Sequence, residues 1–205
     1  MAQGYSSRKS GNRKEFKTLV IVSEGETERV YFRGYKQRKS GLYIIIPNST
    51  ETDPVNLVNL ALRQIVKYDL DLENGDQVWC VFDADRNTNE NIQRALARAD
   101  DKVKLCLSNP CFELWYLLHF GYFDGRISTG DMQNKIETHI RGYDKVKDYF
   151  GVLLSKRDAA VRNSKKLVQK HEESGTQLLS IESNPSTNVF DLVEYILEVI
   201  NRGRI

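Results

Sequence analysis

Apolar positions in the first 120 residues fall into short blocks that alternate between two spacings. Residues 16–23 (FKTLVIVS), 42–47 (LYIIIP), 77–82 (QVWCVF) and 102–107 (KVKLCL) are near-continuous apolar runs of strand length, rich in β-branched side chains. That is the pattern of strands covered on both faces. Between them the spacing changes to about 3.6. After a break at residues 24–27 (EGET), Val30, Tyr31 and Tyr35 mark a helix over 28–38. Asp53-Pro54 opens a second helix, with Val55, Val58, Ala61, Leu62, Ile65 and Val66 on its apolar side. Asn74-Gly75-Asp76 is a turn, a third helix starts at Asn89-Glu90 and runs through Arg98, and a strongly apolar fourth covers 112–120. Four strands alternating with helices predict right-handed βαβ crossovers. The expected fold class is α/β, with a Rossmann-like, mostly parallel four-stranded sheet flanked by helices.

Beyond Gly121 the texture changes. Gly, Asp and Ser punctuate residues 121–131, and helical patterns follow over 132–140, 144–154, 155–173 and 189–200. Pro185-Ser186-Thr187-Asn188 reads as the cap of the last helix, whose apolar face carries Val189, Leu192, Val193, Ile196 and Leu197. The expected organisation is a flexible basic arm over 1–15, an α/β domain over 16–120, and a mostly helical extension over 121–205 packed on that core.

Composition narrows the class. The chain has 205 residues, 40% hydrophobic and 28% charged, which fits a soluble globular protein large enough to bury a core. No apolar run approaches the roughly 20 residues that cross a bilayer, and the basic N-terminus has no apolar stretch behind it. A cytoplasmic protein with no membrane association is expected. Cys80, Cys106 and Cys111 are odd in number and lack zinc-site spacing, so they read as buried free thiols. The net charge of +2 leaves no global nucleic-acid footprint. Two basic stretches stand out: Arg8, Lys9, Arg13, Lys14 and Lys17 against Glu15, and Lys156 to Lys170 with Arg157, Arg162, Lys165 and Lys166. Such runs are usually solvated faces, and become phosphate contacts when they flank a site.

Candidate chemistry lies at the strand ends, where open parallel sheets bind ligands. Glu24 follows the first strand directly, and Asp83 and Asp85 follow the third. Glu28 lies one turn into the first helix, so its carboxylate can return toward Glu24. Four carboxylates brought into one crevice raise one another's pKa unless a cation joins them. With no His or Cys at ligand spacing, Mg²⁺ or Mn²⁺ is the expected cofactor. The bland alternative is that Glu26 and Asp85 only complement helix starts.

These residues also resemble a known family. LVIVSEGETERVYF resembles the first Toprim motif in the EGETE form of overcoming-lysogenization-defect nucleases, and VFDADRN resembles the Toprim DxD motif. LSNPCFELWYLLHF and NPSTNVFDLVEYI resemble the RloB family, over nearly the whole chain from about Phe16. The resemblance implies Mg²⁺-dependent work on phosphodiesters, with Glu24, Asp83 and Asp85 catalytic and Glu28 the second acid of the ExxxE. It also implies a phage-defence role linked to restriction-modification loci. No tyrosine nucleophile stands in a recognisable context, which favours hydrolysis by water over topoisomerase chemistry.

Glu113, in the first turn after Asn109-Pro110, is a fifth ligand, a substrate contact or a complement to its helix N-terminus, and Trp115 and Tyr116 are either base-stacking or core. Arg86, Lys156, Arg157, Arg162 and Lys165 are the candidate substrate contacts. His119 reads as a core residue, His139 and His171 as exposed, and no nucleophilic triad is visible. There is no GxxxxGK[ST], so an ATPase would be a separate partner, alongside nucleic acid (DNA or RNA), another defence subunit or a second copy of the chain. The leading expectation is a metal-dependent nuclease. Its rivals are a degenerate Toprim-fold binding or regulatory subunit and a primase-like enzyme.

Overall fold

The computed structural model describes residues 16–36 and 41–202. The expected arm over 1–15, and the end of the helix expected to reach Arg38, lie outside the described residues.

Strand β1 (Lys17–Ser23) leads into helix α1 (Glu26–Arg33), β2 (Leu42–Ile45), α2 (Pro54–Lys67), β3 (Gln77–Asp83), α3 (Asn89–Ala99), β4 (Lys104–Asn109) and α4 (Glu113–Leu118). Then come α5 (Thr129–Glu137), α6 (Phe150–Leu154), α7 (Arg157–Glu173), β5 (Ser186–Thr187) and α8 (Val189–Arg202). The class is α/β, as expected. The sheet has five strands in the order β2-β1-β3-β4-β5, not four. The first four are parallel, and β5 runs antiparallel on the edge, pairing Ser108 with Thr187 and Asn109 with Ser186. The sequence pattern predicts a helix cap at residues 186–187, where the structure forms this edge strand. Two residues are too few for a period-2 signal, and what holds them is tertiary. The Asn188 side chain accepts from the Leu107 amide (2.8 Å) and donates to the Leu105 carbonyl (3.0 Å).

The period-2 alternation is visible in the packing. Leu19, Ile21, Trp79, Val81 and Cys106 face one apolar core, shared with α1, α4, α5, α7 and α8. Val20, Val22, Val78, Cys80, Phe82, Leu105 and Leu107 face the other, covered by α2 and α3. Helices α1 and α2 thus lie on opposite faces, as right-handed crossovers require when the chain reverses direction across a sheet.

Two helix ends show local packing and bonding at work. At the end of α1, a Cβ on Gly34 would stand 2.1 Å from Cγ of Phe150, so only glycine admits the aromatic ring so close to the backbone. The helix expected over 144–154 shrinks to Phe150–Leu154. Asp144 and Asp148 accept from the amides of Val146 (3.1 Å) and Phe150 (2.8 Å), and these local bonds replace the helical ones. Among the described residues, no helix is long and apolar enough to cross a membrane. All three cysteines are buried and free.

Candidate metal centre

Strands β1 and β3 are neighbours, but their crossovers leave in opposite directions, so a crevice opens between their carboxyl ends. Register places the acids there. Ser23 pairs with Val81, so Glu24 lies one residue beyond the pairing on β1 and Asp83 two beyond it on β3. The Glu24 amide donates to the Val81 carbonyl (3.0 Å), and the Asp83 amide donates to Oε2 of Glu24 (3.3 Å). Glu28 is buried in the first turn of α1. A Cβ on Gly25 would meet its Oε2 at 2.6 Å, so the glycine leaves room for that carboxylate to fold back over the helix start. Beyond β4 the chain passes through a cis Asn109-Pro110 bond and enters α4, where Glu113 is 2% exposed.

Glu24, Glu28, Asp83 and Glu113 therefore gather into one acidic cluster at the strand ends, with exposed Asp85 beside it. Their charges act on one another. Burial first, and then the Glu113 and Glu24 carboxylates, push Glu28 up to about 7. Burial, followed by Glu28, Glu113, Glu24 and Asp85, raises Asp83 well above the usual carboxylate range. Burial also raises Glu24, with Asp85 adding to it, while the Asp83 amide and Arg86 oppose. Asp83 keeps some residue surface, yet its Oδ1 is shut off from solvent and has no hydrogen-bond partner. An enclosed, unpaired carboxylate oxygen facing other carboxylates is the arrangement a hard cation relieves.

The donors are all oxygen, which suits Mg²⁺ or Mn²⁺ better than zinc. Cys111 lies beside Glu113, but burial and that carboxylate push its thiol up, so it stays protonated. Among the described residues, no three carboxylate, imidazole or thiol groups share one coordination point. Several acids are engaged elsewhere. Glu24 accepts from the Asp83 amide, Thr129 at the start of α5 donates to Oδ2 of Asp85 (3.1 Å), and Glu113 Oε1 takes both the Tyr143 hydroxyl (3.1 Å) and the Lys145 ammonium (3.1 Å).

Glu26, a candidate helix-start complement, points outward to Arg29 (2.6 Å) and Arg33 (3.0 Å). Asp85 caps nothing, since α3 starts at Asn89 with Thr88 as its cap. Of the candidate substrate contacts, Arg86 is exposed beside the pocket and bears on Glu24. Arg157 is not brought to the pocket. It lies against Tyr35 and His119, past the C-terminal ends of α1 and α4, whereas Glu28 and Glu113 sit at the N-terminal ends. Lys156 lies over the Phe120 ring at the same remote end (5.8 Å). Lys165 pairs with Glu194 of α8 (2.6 Å), and Arg162 is exposed on α7. Trp115 and Tyr116 are core residues, at 0% and 1% exposure. The sequence offered no signal for Thr129, Tyr143 or Lys145, which come from the second half of the chain and reach the pocket only through folding.

A family model described as RloB-like protein matches residues 19–196. No curated protein and no solved structure matches the chain.

Proposed function

The chain belongs to the RloB-like family, and from that premise we propose that it is a metal-dependent phosphodiesterase of the Toprim type, acting on nucleic acid in phage defence. The observation that carries the reading is the enclosed, unpaired Oδ1 of Asp83 among Glu24, Glu28 and Glu113. In this reading Glu24, Asp83 and Asp85 are the catalytic acids, and Glu28 and Glu113 complete the ligand set. When bound, Mg²⁺ or Mn²⁺ supplies water activation and charge neutralisation at a phosphoryl centre. The protein's own part is positional. The β1–β3 register holds Glu24 beside Asp83, Gly25 leaves space for Glu28, and Arg86 at the exposed rim meets a substrate phosphate.

A second reading keeps the pocket but drops the chemistry, making the chain a binding or regulatory subunit. It draws on Lys145, which already supplies a positive charge to Glu113. One experiment separates the two. Mn²⁺ binding by the purified chain is measured alongside cleavage of a panel of DNAs and tRNAs, with Asp83→Asn as control. The enzyme reading expects binding that Asp83→Asn removes, and metal-dependent cleavage that is slow until a partner or trigger is added. Binding without cleavage under any partner condition leaves the regulatory reading, and no Mn²⁺ binding at millimolar metal overturns the enzyme reading and leaves the regulatory one.

A further inference from the structure

We propose that Lys145 is a tethered counter-cation that competes with a divalent ion for Glu113, so that the pocket carries its own restraint on metal loading. This rests on the metal-site reading above. The ammonium reaches Oε1 of Glu113 at 3.1 Å from the solvent side: the lysine side chain is 50% exposed and the glutamate 3%. The same oxygen accepts the Tyr143 hydroxyl at 3.1 Å, so Glu113 is held toward the 141–149 segment. That segment is fixed at its root. Glu137 takes the amides of Gly142 (2.8 Å) and Tyr143 (2.9 Å), and the Tyr149 hydroxyl takes the amide of Asp144 (2.9 Å). Lys145 can therefore leave by rotating its own four-carbon stem while the backbone stays in place.

Electrostatics make the two cations exclusive. The ammonium bears on Asp83 as well as on Glu113. A divalent ion placed between Glu113 and Asp83 would lie against it, and like charges a few ångströms apart in a partly enclosed pocket repel strongly. Glu113 then has two partners to choose between, and the acid group that would finish the ligand set is the one Lys145 holds.

The test is Mn²⁺ affinity of the full chain, measured by calorimetry or electron paramagnetic resonance, for the wild type, Lys145→Met, Lys145→Arg and Tyr143→Phe. Replacing a charge-assisted bond that is half open to solvent by nothing predicts Mn²⁺ binding about tenfold tighter in Lys145→Met. Lys145→Arg keeps the charge and stays near the wild type, and Tyr143→Phe shifts affinity far less than Lys145→Met. A second readout separates competition from a structural role. Metal-free Lys145→Met melts below the wild type, because its acids have lost a counter-charge, yet gains more from Mn²⁺. A lysine that merely pins the 141–149 segment would weaken both. Unchanged or weaker Mn²⁺ binding in Lys145→Met, or tightening in Lys145→Arg to match it, overturns the proposal while wild-type binding keeps the site reading intact. No Mn²⁺ binding by any variant overturns both.

Discussion

The amide of Asp83 donates to the carboxylate of Glu24 across 3.3 Å, so the residues that close two neighbouring strands are joined directly. The carboxylate oxygen Oδ1 of Asp83 is buried there without a hydrogen-bond partner. Removing that charge should relieve the pocket. Asp83→Asn is expected to raise the melting temperature of the metal-free protein at pH 8 and to abolish the further rise that Mn²⁺ gives the wild type. A collapse in metal-free stability would instead make Asp83 a structural residue.

The same pocket sets a pH dependence. Glu28 is raised from 4.5 to about 7 in the folded chain, so its contribution to stability is full below about 4.5 and disappears as pH rises through about 7. A shift of that size corresponds to about 3 kcal/mol of differential protonation energy. Glu28→Gln should therefore flatten the fall in metal-free stability between pH 5 and pH 8, measured by urea unfolding. An unchanged slope would mean that Glu28 titrates normally.

His119 acts in the opposite sense. Its Nδ1 lies 2.8 Å from the Trp115 carbonyl, which suits a proton on Nδ1, and its Nε2 is buried without a partner. Burial pulls its pKa from 6.5 to about 4, and the Arg157 charge adds to that. The folded chain thus refuses a proton that the unfolded chain accepts below about 6.5, and stability is lost as pH falls from there toward 4. Between pH 7.5 and pH 5 the loss assigned to His119 is about 2 kcal/mol. Comparing the wild type with His119→Gln over that range should recover a difference of this size, and equal pH slopes would refute the burial argument.

Gly34 and Phe150 give a test of packing away from the pocket. A Cβ on Gly34 would fall 2.1 Å from the ring of Phe150, which also stacks edge-on against Tyr35 with centroids 4.7 Å apart. Gly34→Ala should cost about 1–3 kcal/mol, the range for overpacking a filled core. Adding Phe150→Leu should return part of it, a coupling that a double-mutant cycle measures. Additive effects would show that the helix end and the ring do not meet.

Charge at the rim should matter more than charge along α7. Arg86 is exposed beside Glu24, while Lys156 and Arg157 sit past the far ends of α1 and α4 and Lys165 is paired with Glu194. Arg86→Glu is expected to weaken nucleic-acid binding and reduce the salt slope by about one, as loss of one phosphate contact does. Arg162→Glu should change it less. The reverse order would place the substrate path along α7.

Periodicity alone determined the alternation of strands and helices through α4, because each buried strand needs a continuous apolar run and each covering helix an apolar stripe. It also put Glu24, Asp83 and Glu113 at strand ends or just beyond, and parallel register between neighbours then brings such positions together. Sequence could not announce β5, whose two residues are held by Asn188 reaching back to β4. Nor could it show that residues 144–149 leave the helical pattern, because local bonds from Asp144 and Asp148 compete with helical ones on nearly equal terms. Tertiary structure alone decided that Lys145 meets Glu113, 32 positions earlier, and that Arg157 turns inward toward Tyr35. An ion pair between distant segments leaves no periodic trace, since it depends on where two independently patterned pieces of chain come to rest.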